Sequence, residues 1–198
     1  MPLQESSAPR DPLTLFRRLY REAQEAGAQQ PDAIALATCG SAGPSARMVL
    51  YKGLRDGSFL FYSNYESRKG LDLAEDNRAA IVFYWFPTHR QVRVSGTVAR
   101  LDRKSSLAYF RSRPRGAQLS ALASRQSRVI PSRDVLERAV LELAEKHPRH
   151  VPLPADWGGY ALRPGWIEFW ESREDRLHDR LLYTRRPGGV WRLERLAP

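Results

Sequence analysis

Cysteine is nearly absent, with Cys39 the only one in 198 residues. That excludes an internal disulfide framework and a thiolate zinc site. Long apolar runs are missing too. Stretches such as Ala79–Phe86 are far too short to cross a bilayer as a helix, and no apolar segment follows Met1. Neither a membrane span nor a secretory signal is therefore expected. Lysine supplies only four of the 32 basic side chains (Lys52, Lys69, Lys104 and Lys146), and arginine the rest. The arginines run from Arg10 to Arg195, interleaved with acids and never in a block of five like charges. Despite a net charge of +10, that pattern fits a solvated surface with discrete anion pockets better than a nucleic-acid stripe, so no nucleic-acid partner is expected. The chain has no Gly-rich dinucleotide loop and no Gly-Lys-Ser/Thr phosphate loop. The four histidines (His89, His147, His150 and His178) lack metal spacing, and no metal is expected. What remains is a reduced, soluble, cytoplasmic protein, with a flexible tail at 1–10 and a single domain at 11–198.

Hydrophobic periodicity then assigns the elements. Asp11-Pro12 offers an N-cap ahead of a first-turn proline, and Leu13, Phe16, Leu19, Tyr20 and Ala23 recur at helical spacing until Gly27. Five short β-type segments follow, at Ala33–Thr38, Arg47–Gly53, Ser58–Ser63, Ala79–Trp85 and Gln91–Leu101. A short helix at Ser67–Asp76 interrupts them. Helical periods at Lys104–Arg113, Ala117–Arg125 and Arg133–His147 come next. Strands resume at Gly159–Leu162, Trp166–Glu171, Arg180–Arg185 and Val190–Arg195, with Pro187-Gly188-Gly189 as a hairpin turn. The fold class is mainly β with helices (α+β), an antiparallel barrel decorated by helices.

Several polar clusters stand where strands end. The strand Arg47-Met48-Val49-Leu50-Tyr51-Lys52 puts Arg47, Val49 and Tyr51 on one face and Met48, Leu50 and Lys52 on the other. Ser67-Arg68-Lys69 opens a helix, where free N–H groups and two cations make a phosphate site; taken alone, the pair also fits ordinary surface charge. Tyr109 and Arg113 fall at i and i+4, a small anion clamp. In a strand, Arg176, His178 and Arg180 share a face, a row that calls for an anion or an electron-rich ring opposite it, and Trp170 lies shortly before, able to cover an aromatic cofactor.

Nine segments, in order, resemble the pyridoxamine 5′-phosphate oxidase family: Arg47–Lys52, Tyr62-Ser63, Ser67-Arg68-Lys69, Arg90–Val94, Tyr109-Phe110 with Arg113-Pro114-Arg115, Ser124–Ser127, Ile167–Trp170, Arg176–Arg180 and Arg195–Pro198. The resemblance covers residue 11 to the C-terminus. It implies an FMN-binding split β-barrel, homodimeric, with FMN in clefts between subunits. It also implies oxidation of pyridoxamine or pyridoxine 5′-phosphate to pyridoxal 5′-phosphate in vitamin B6 metabolism, by hydride transfer from C4′ to flavin N5. Dioxygen then reoxidises FMN and yields hydrogen peroxide. By this resemblance Arg47, Met48, Val49, Leu50, Lys52, Tyr62, Ser63, Arg68 and Lys69 contact FMN from one subunit. Gln91, Gln126, Ser127, Trp170 and Arg180 complete the site, several of them from the partner subunit. Lys52, Tyr109 and Arg113 hold the substrate phosphate, while Arg176 and His178 flank its pyridine ring as the catalytic pair.

Some residues depart from the family pattern. Ala117 stands where a phosphate-binding Ser is usual, Ser172-Arg173-Glu174-Asp175 replaces a smaller, Gly-containing turn, and residues 1–12 lack the Arg- and Tyr-containing lid segment. A phenazine-type oxidase of the same fold and a non-catalytic FMN or pyridoxal phosphate binder are the alternatives.

Overall fold

Asp11 starts the first helix as expected. Its carboxylate accepts from the Leu13 N–H at 3.0 Å and from the Thr14 hydroxyl at 3.0 Å, and helix α1 runs Pro12–Glu25. Leu15, Phe16, Leu19 and Ala23 on one face are buried. Phe16 is the hub, with its ring 4.9 Å from Phe59, 5.0 Å from Phe83 and 5.6 Å from Tyr51. These are edge-on and tilted contacts of the kind that adds to area burial. The helix thus closes a core built by the strands.

The strands are β1 (Ala33–Gly40), β2 (Gly43–Leu50), β3 (Leu54–Arg55), β4 (Ser58–Asn64), β5 (Arg78–Trp85), β6 (Arg90–Arg100), β7 (Trp157–Glu171), β8 (Asp179–Arg185) and β9 (Trp191–Arg195). All pairings are antiparallel, in the order β2-β1-β5-β6-β7-β4-β3, with β8 on β7 and β9 on β8. Just beyond β2, the Lys52 N–H donates to the Leu60 carbonyl at 2.7 Å and the Leu60 N–H to the Gly53 carbonyl at 2.9 Å. Those two bonds bring the first edge back to β4 and close the barrel. Helix α2 (Arg68–Glu75) connects β4 to β5, while α3 (Arg103–Ser112), α4 (Arg115–Ala123) and α5 (Arg133–Lys146) lie between β6 and β7. A second, smaller core of Phe110, Leu119, Val151 and Trp157 sits under these three helices. The architecture is the expected split barrel of class α+β. No helix among the described residues is long and apolar enough to cross a membrane.

The structure is a computed structural model describing residues 3–198. It corrects two expectations. The strands expected at Gly159–Leu162 and Trp166–Glu171 are a single strand, β7. Pairing with β6 continues past Pro164 because a bulge at Ser95/Gly96 absorbs the register shift there. The tail expected at 1–10 is not loose from Leu3 onward, while Met1 and Pro2 lie outside the described residues. Leu3 is buried in the main core, Arg195 donates to the Glu5 carboxylate at 2.6 and 2.7 Å, and the Tyr183 hydroxyl donates to the Pro9 carbonyl at 2.8 Å. Arg195 holds the Glu5 carboxyl down to about 2. An apolar anchor with a polar clamp orders a segment whose composition alone reads as coil.

The bulge makes a stability test. A Cβ added at Gly96 would stand 1.9 Å from the Arg163 carbonyl oxygen, whereas one at Gly116 in α4 meets nothing within 4 Å. Gly96→Ala is expected to lose about 2 kcal/mol in urea unfolding by overpacking, and Gly116→Ala to be neutral or gain up to ~1 kcal/mol. Equal midpoints for the two variants would reject the bulge as a structural constraint.

Candidate functional site

A cavity of about 960 Å³ opens between β2, the end of β4, the start of α2 and helices α3 and α4. It gathers most of the residues singled out from the sequence. Arg47, Met48, Val49, Leu50, Lys52, Tyr62, Ser63, Arg68, Lys69, Tyr109, Arg113, Gln126 and Ser127 all line it, and so does Ala117.

Alternation along β2 sets out its contribution. Arg47 is held by the Leu36 carbonyl at 3.2 Å and the Thr38 and Ser45 hydroxyls at 2.6 and 2.5 Å, while Met48 and Leu50 stay exposed on the other face. Asp72, one turn beyond Arg68 on α2, binds three of these groups. Its carboxylate accepts from the Thr38 hydroxyl at 2.7 Å and from Arg68 Nε at 2.8 Å, and lies 3.5 Å from Arg47. Burial pushes the Asp72 carboxyl up, but Thr38, Arg68 and Arg47 outweigh it and keep it below the usual carboxylate range.

Lys69 has no such counter-charge. Its ammonium is buried and donates to the Ser63 hydroxyl at 3.0 Å, the Ser67 hydroxyl at 2.9 Å and the Gln126 amide oxygen at 2.9 Å, all neutral groups. Desolvation, with Arg47 nearby, lowers its pKa to about 8. Ser127, in a left-handed conformation at φ 72°, places its hydroxyl 3.3 Å from the first backbone N–H of α2. The α4–α5 link therefore meets the helix N-terminus, where an anion is favoured.

Elsewhere in the cavity, Tyr62 stacks on Tyr109 at 3.8 Å and on Trp157 at 5.7 Å. The Arg113 guanidinium lies over the Trp157 face at 4.8 Å. Its Nη1 is buried with no hydrogen-bond partner, and burial lowers its pKa. An orphaned buried donor of this kind is costly unless a ligand satisfies it. Lys52 is already paired, with Asp32 at 2.9 Å. An anionic ligand with an aromatic body fits this set of donors and rings. Phosphate would meet Arg47, Arg68, Lys69 and Ser127.

Gln91, Trp170, Arg176, His178 and Arg180 are not among the residues lining this cavity. Four of them form a second cluster, three on β6, β7 and β8 and His178 just before β8. Gln91 pairs with Trp170, Trp170 pairs with Arg180, and the His178 ring is 4.7 Å from that of Trp170. The expected strand row of Arg176, His178 and Arg180 is corrected: β8 begins only at Asp179, and Arg176 ends a short 3-10 turn with φ 59°. Of the three, Arg180 is offset by Glu168 from β7. Its buried carboxylate accepts from Arg180 Nε at 2.8 Å and Arg93 at 2.9 Å, and Arg180 also donates to the Ala197 carbonyl at 2.8 Å.

Asp72, Glu168, Arg93 and Trp157 were not singled out from the sequence. Asp72 had a signal, an acid at i+4 from Arg68. Glu168 had a weaker one, a lone charge inside the apolar run Ile167–Trp170.

Comparison with known proteins adds three findings. A family model described as "Pyridoxamine 5'-phosphate oxidase" matches residues 20–147, and one described as "Pyridoxine 5'-phosphate oxidase C-terminal dimerisation region" matches 157–198. The chain is 52% identical to a pyridoxine/pyridoxamine 5'-phosphate oxidase of Salinibacter ruber, over 95% of this chain and 89% of that one. It is 50% identical to the protein of that name from Rubrobacter xylanophilus, over 99% and 91%. Among solved structures, PhzG from Burkholderia lata in complex with tetrahydrophenazine-1-carboxylic acid superposes with TM-score 0.93 at 32% identity, covering 99% of this chain and 98% of that one.

The low pKa of Lys69 generates a pH test. A phosphate beside Lys69 favours its ammonium, so above about pH 8 the empty site must take up a proton on binding. With FMN as the phosphate-bearing probe, affinity should stay level up to about pH 8 and then fall with a slope approaching tenfold per pH unit. Riboflavin, without the phosphate, should show no such step in the same fluorescence titration, and Lys69→Met should abolish it. A flat FMN profile to pH 10 would separate Lys69 from the phosphate.

Proposed function

Because the chain belongs to the pyridoxamine 5′-phosphate oxidase family, we propose that it binds FMN and oxidises pyridoxamine or pyridoxine 5′-phosphate to pyridoxal 5′-phosphate. The carrying observation is the cavity's cation set: Lys69 buried among neutral partners and Arg113 Nη1 buried with none. Both await anions, and the reading supplies two phosphates, one on the cofactor and one on the substrate.

Arg47, Arg68, Lys69 and Ser127 would hold the FMN phosphate with charge-assisted and hydroxyl donors. Arg113 and Tyr109, with Lys52, would hold the substrate phosphate, drawing Lys52 from Asp32. FMN held there would supply a two-electron acceptor for the hydride lost from substrate C4′, with dioxygen as the final oxidant and hydrogen peroxide as its product. Arg176 and His178 would orient the pyridine ring, and His178 would hold or move a proton of the amine or alcohol. The match of 157–198 to a dimerisation region supports a homodimer. In it, the Gln91–Trp170–Arg180 cluster of one subunit would close the cavity of the other, with Arg180 offering positive charge to the flavin.

A phenazine-type reading has the likeness to PhzG in its favour. Against it stand Lys52, Tyr109 and Arg113, which a ring without phosphate would leave unused. The relatives from Salinibacter ruber and Rubrobacter xylanophilus, at 52% and 50% identity, both carry the oxidase name.

Adding pyridoxamine or pyridoxine 5′-phosphate to FMN-loaded protein without oxygen should bleach the flavin band, form one pyridoxal phosphate per flavin, and recover colour in air. Protein that holds FMN but bleaches with neither substrate rejects the oxidase. Ala117→Ser should restore a hydroxyl donor beside Arg113, worth about 1 kcal/mol, and so lower KM about fivefold with little change in kcat.

A further inference from the structure

Arg173 is separated from the end of β7 by Ser172 alone and belongs to no regular element. Its Nε donates to Asp179 at 2.7 Å and its Nη2 lies 3.1 Å from Glu171, while its backbone N–H donates to His178 Nδ1 at 3.1 Å. Between Arg173 and His178 the chain passes through two consecutive left-handed residues, Asp175 at φ 52° and Arg176 at φ 59°, neither of them glycine. Such backbone persists only where its surroundings over-determine it. Residues 174–177 are all exposed, so no core holds the loop. The restraint is polar and sits at the base, where Arg173 ties β7 to the start of β8. Arg195 takes the other Asp179 oxygen at 2.7 Å and stiffens the same anchor.

We propose that Arg173 is a positioning residue for the reaction: by pinning the loop base to Glu171 and Asp179 it keeps its own amide on His178 Nδ1, and so fixes the tautomer and aim of that imidazole. With Nδ1 accepting, neutral His178 carries its proton on Nε2. The Trp170 ring, 4.7 Å away, sets the imidazole plane from a second direction. Nε2 is then the nitrogen left to meet substrate. The exposed Arg176 on the same loop is aimed by the same anchor. This inference rests on the reading that His178 stands at the substrate.

The test uses full-length, FMN-loaded protein and three variants, Arg173→Ala, Arg173→Lys and His178→Ala. Nitrogen-15 spectra of the imidazoles report the tautomer of His178, its signal assigned by its loss in His178→Ala. Arg173→Ala should turn a single Nε2–H form into a mixture and raise KM for pyridoxine 5′-phosphate roughly fivefold, with kcat and FMN affinity within about twofold of the parent. Arg173→Lys, which keeps the charge, should recover most of both effects. A sensitive His178→Ala beside an Arg173→Ala variant that alters neither tautomer nor KM overturns the proposal, as does a changed tautomer with an unchanged KM. Should His178→Ala itself leave KM and kcat unaltered, the placement of His178 at the substrate is what fails.

Discussion

Strand β7 pairs with β6 over nearly its whole length on one edge, and on the other first with β4 and then with β8. This double partnership lets one continuous sheet carry both the β4 side of the barrel and the β8–β9 hairpin, whose Leu181 and Tyr183 enter the same core. It requires a strand of 15 residues that does not end at its proline. Gly96 supplies the means, since its missing Cβ lets the Arg163 carbonyl approach β6 where the register shifts. The cavity depends on the first half of β7, through Trp157 and the pairing with β4. The Trp170–Arg180 cluster depends on the second half.

Electrostatically the two halves are built in opposite ways. Along β6–β8 three arginines are paired with acids: Arg93 and Arg180 share buried Glu168, and Arg90 lies between Glu22 and Glu171. Such pairs tie these three arginines to acids instead of leaving them as a surface for polyanions. In the cavity the balance is left positive. Asp72 is shared by Arg47 and Arg68, and Lys69 and Arg113 are desolvated without a carboxylate partner. Keeping cations in low dielectric is unfavourable in the free protein and would be offset by an anion, which is the physical ground for reading the cavity as an anion site.

The loop between β7 and β8 shows the same preference for polar over apolar restraint. Two left-handed residues lie in an exposed turn held at its base by Arg173, Asp179 and Arg195, and the last of these also clamps Glu5. The N-terminal segment, the C-terminal strand and the His178 loop thus share one network of charges. Networks of this kind carry more than isolated surface pairs do.

Much of this was legible in the linear chain. Alternation and helical spacing placed α1 to α5 within a residue or two, because each buries one face and the period follows from that. Thirteen of the eighteen site residues expected from the sequence line the cavity. The sequence by itself determined these elements, the Asp11 cap and the identity of the cation-bearing segments, since each depends on neighbours within a turn or a strand. Only the tertiary structure decided that Pro164 lies inside a strand, that Leu3 is core, that Glu168 and Asp72 are the counter-charges, and that Arg180 and Lys69 stand in separate clusters. Those outcomes rest on contacts between residues tens to nearly two hundred positions apart, such as Arg195 with Glu5. Local period carries no information about which distant charge or carbonyl will be met when the sheet closes.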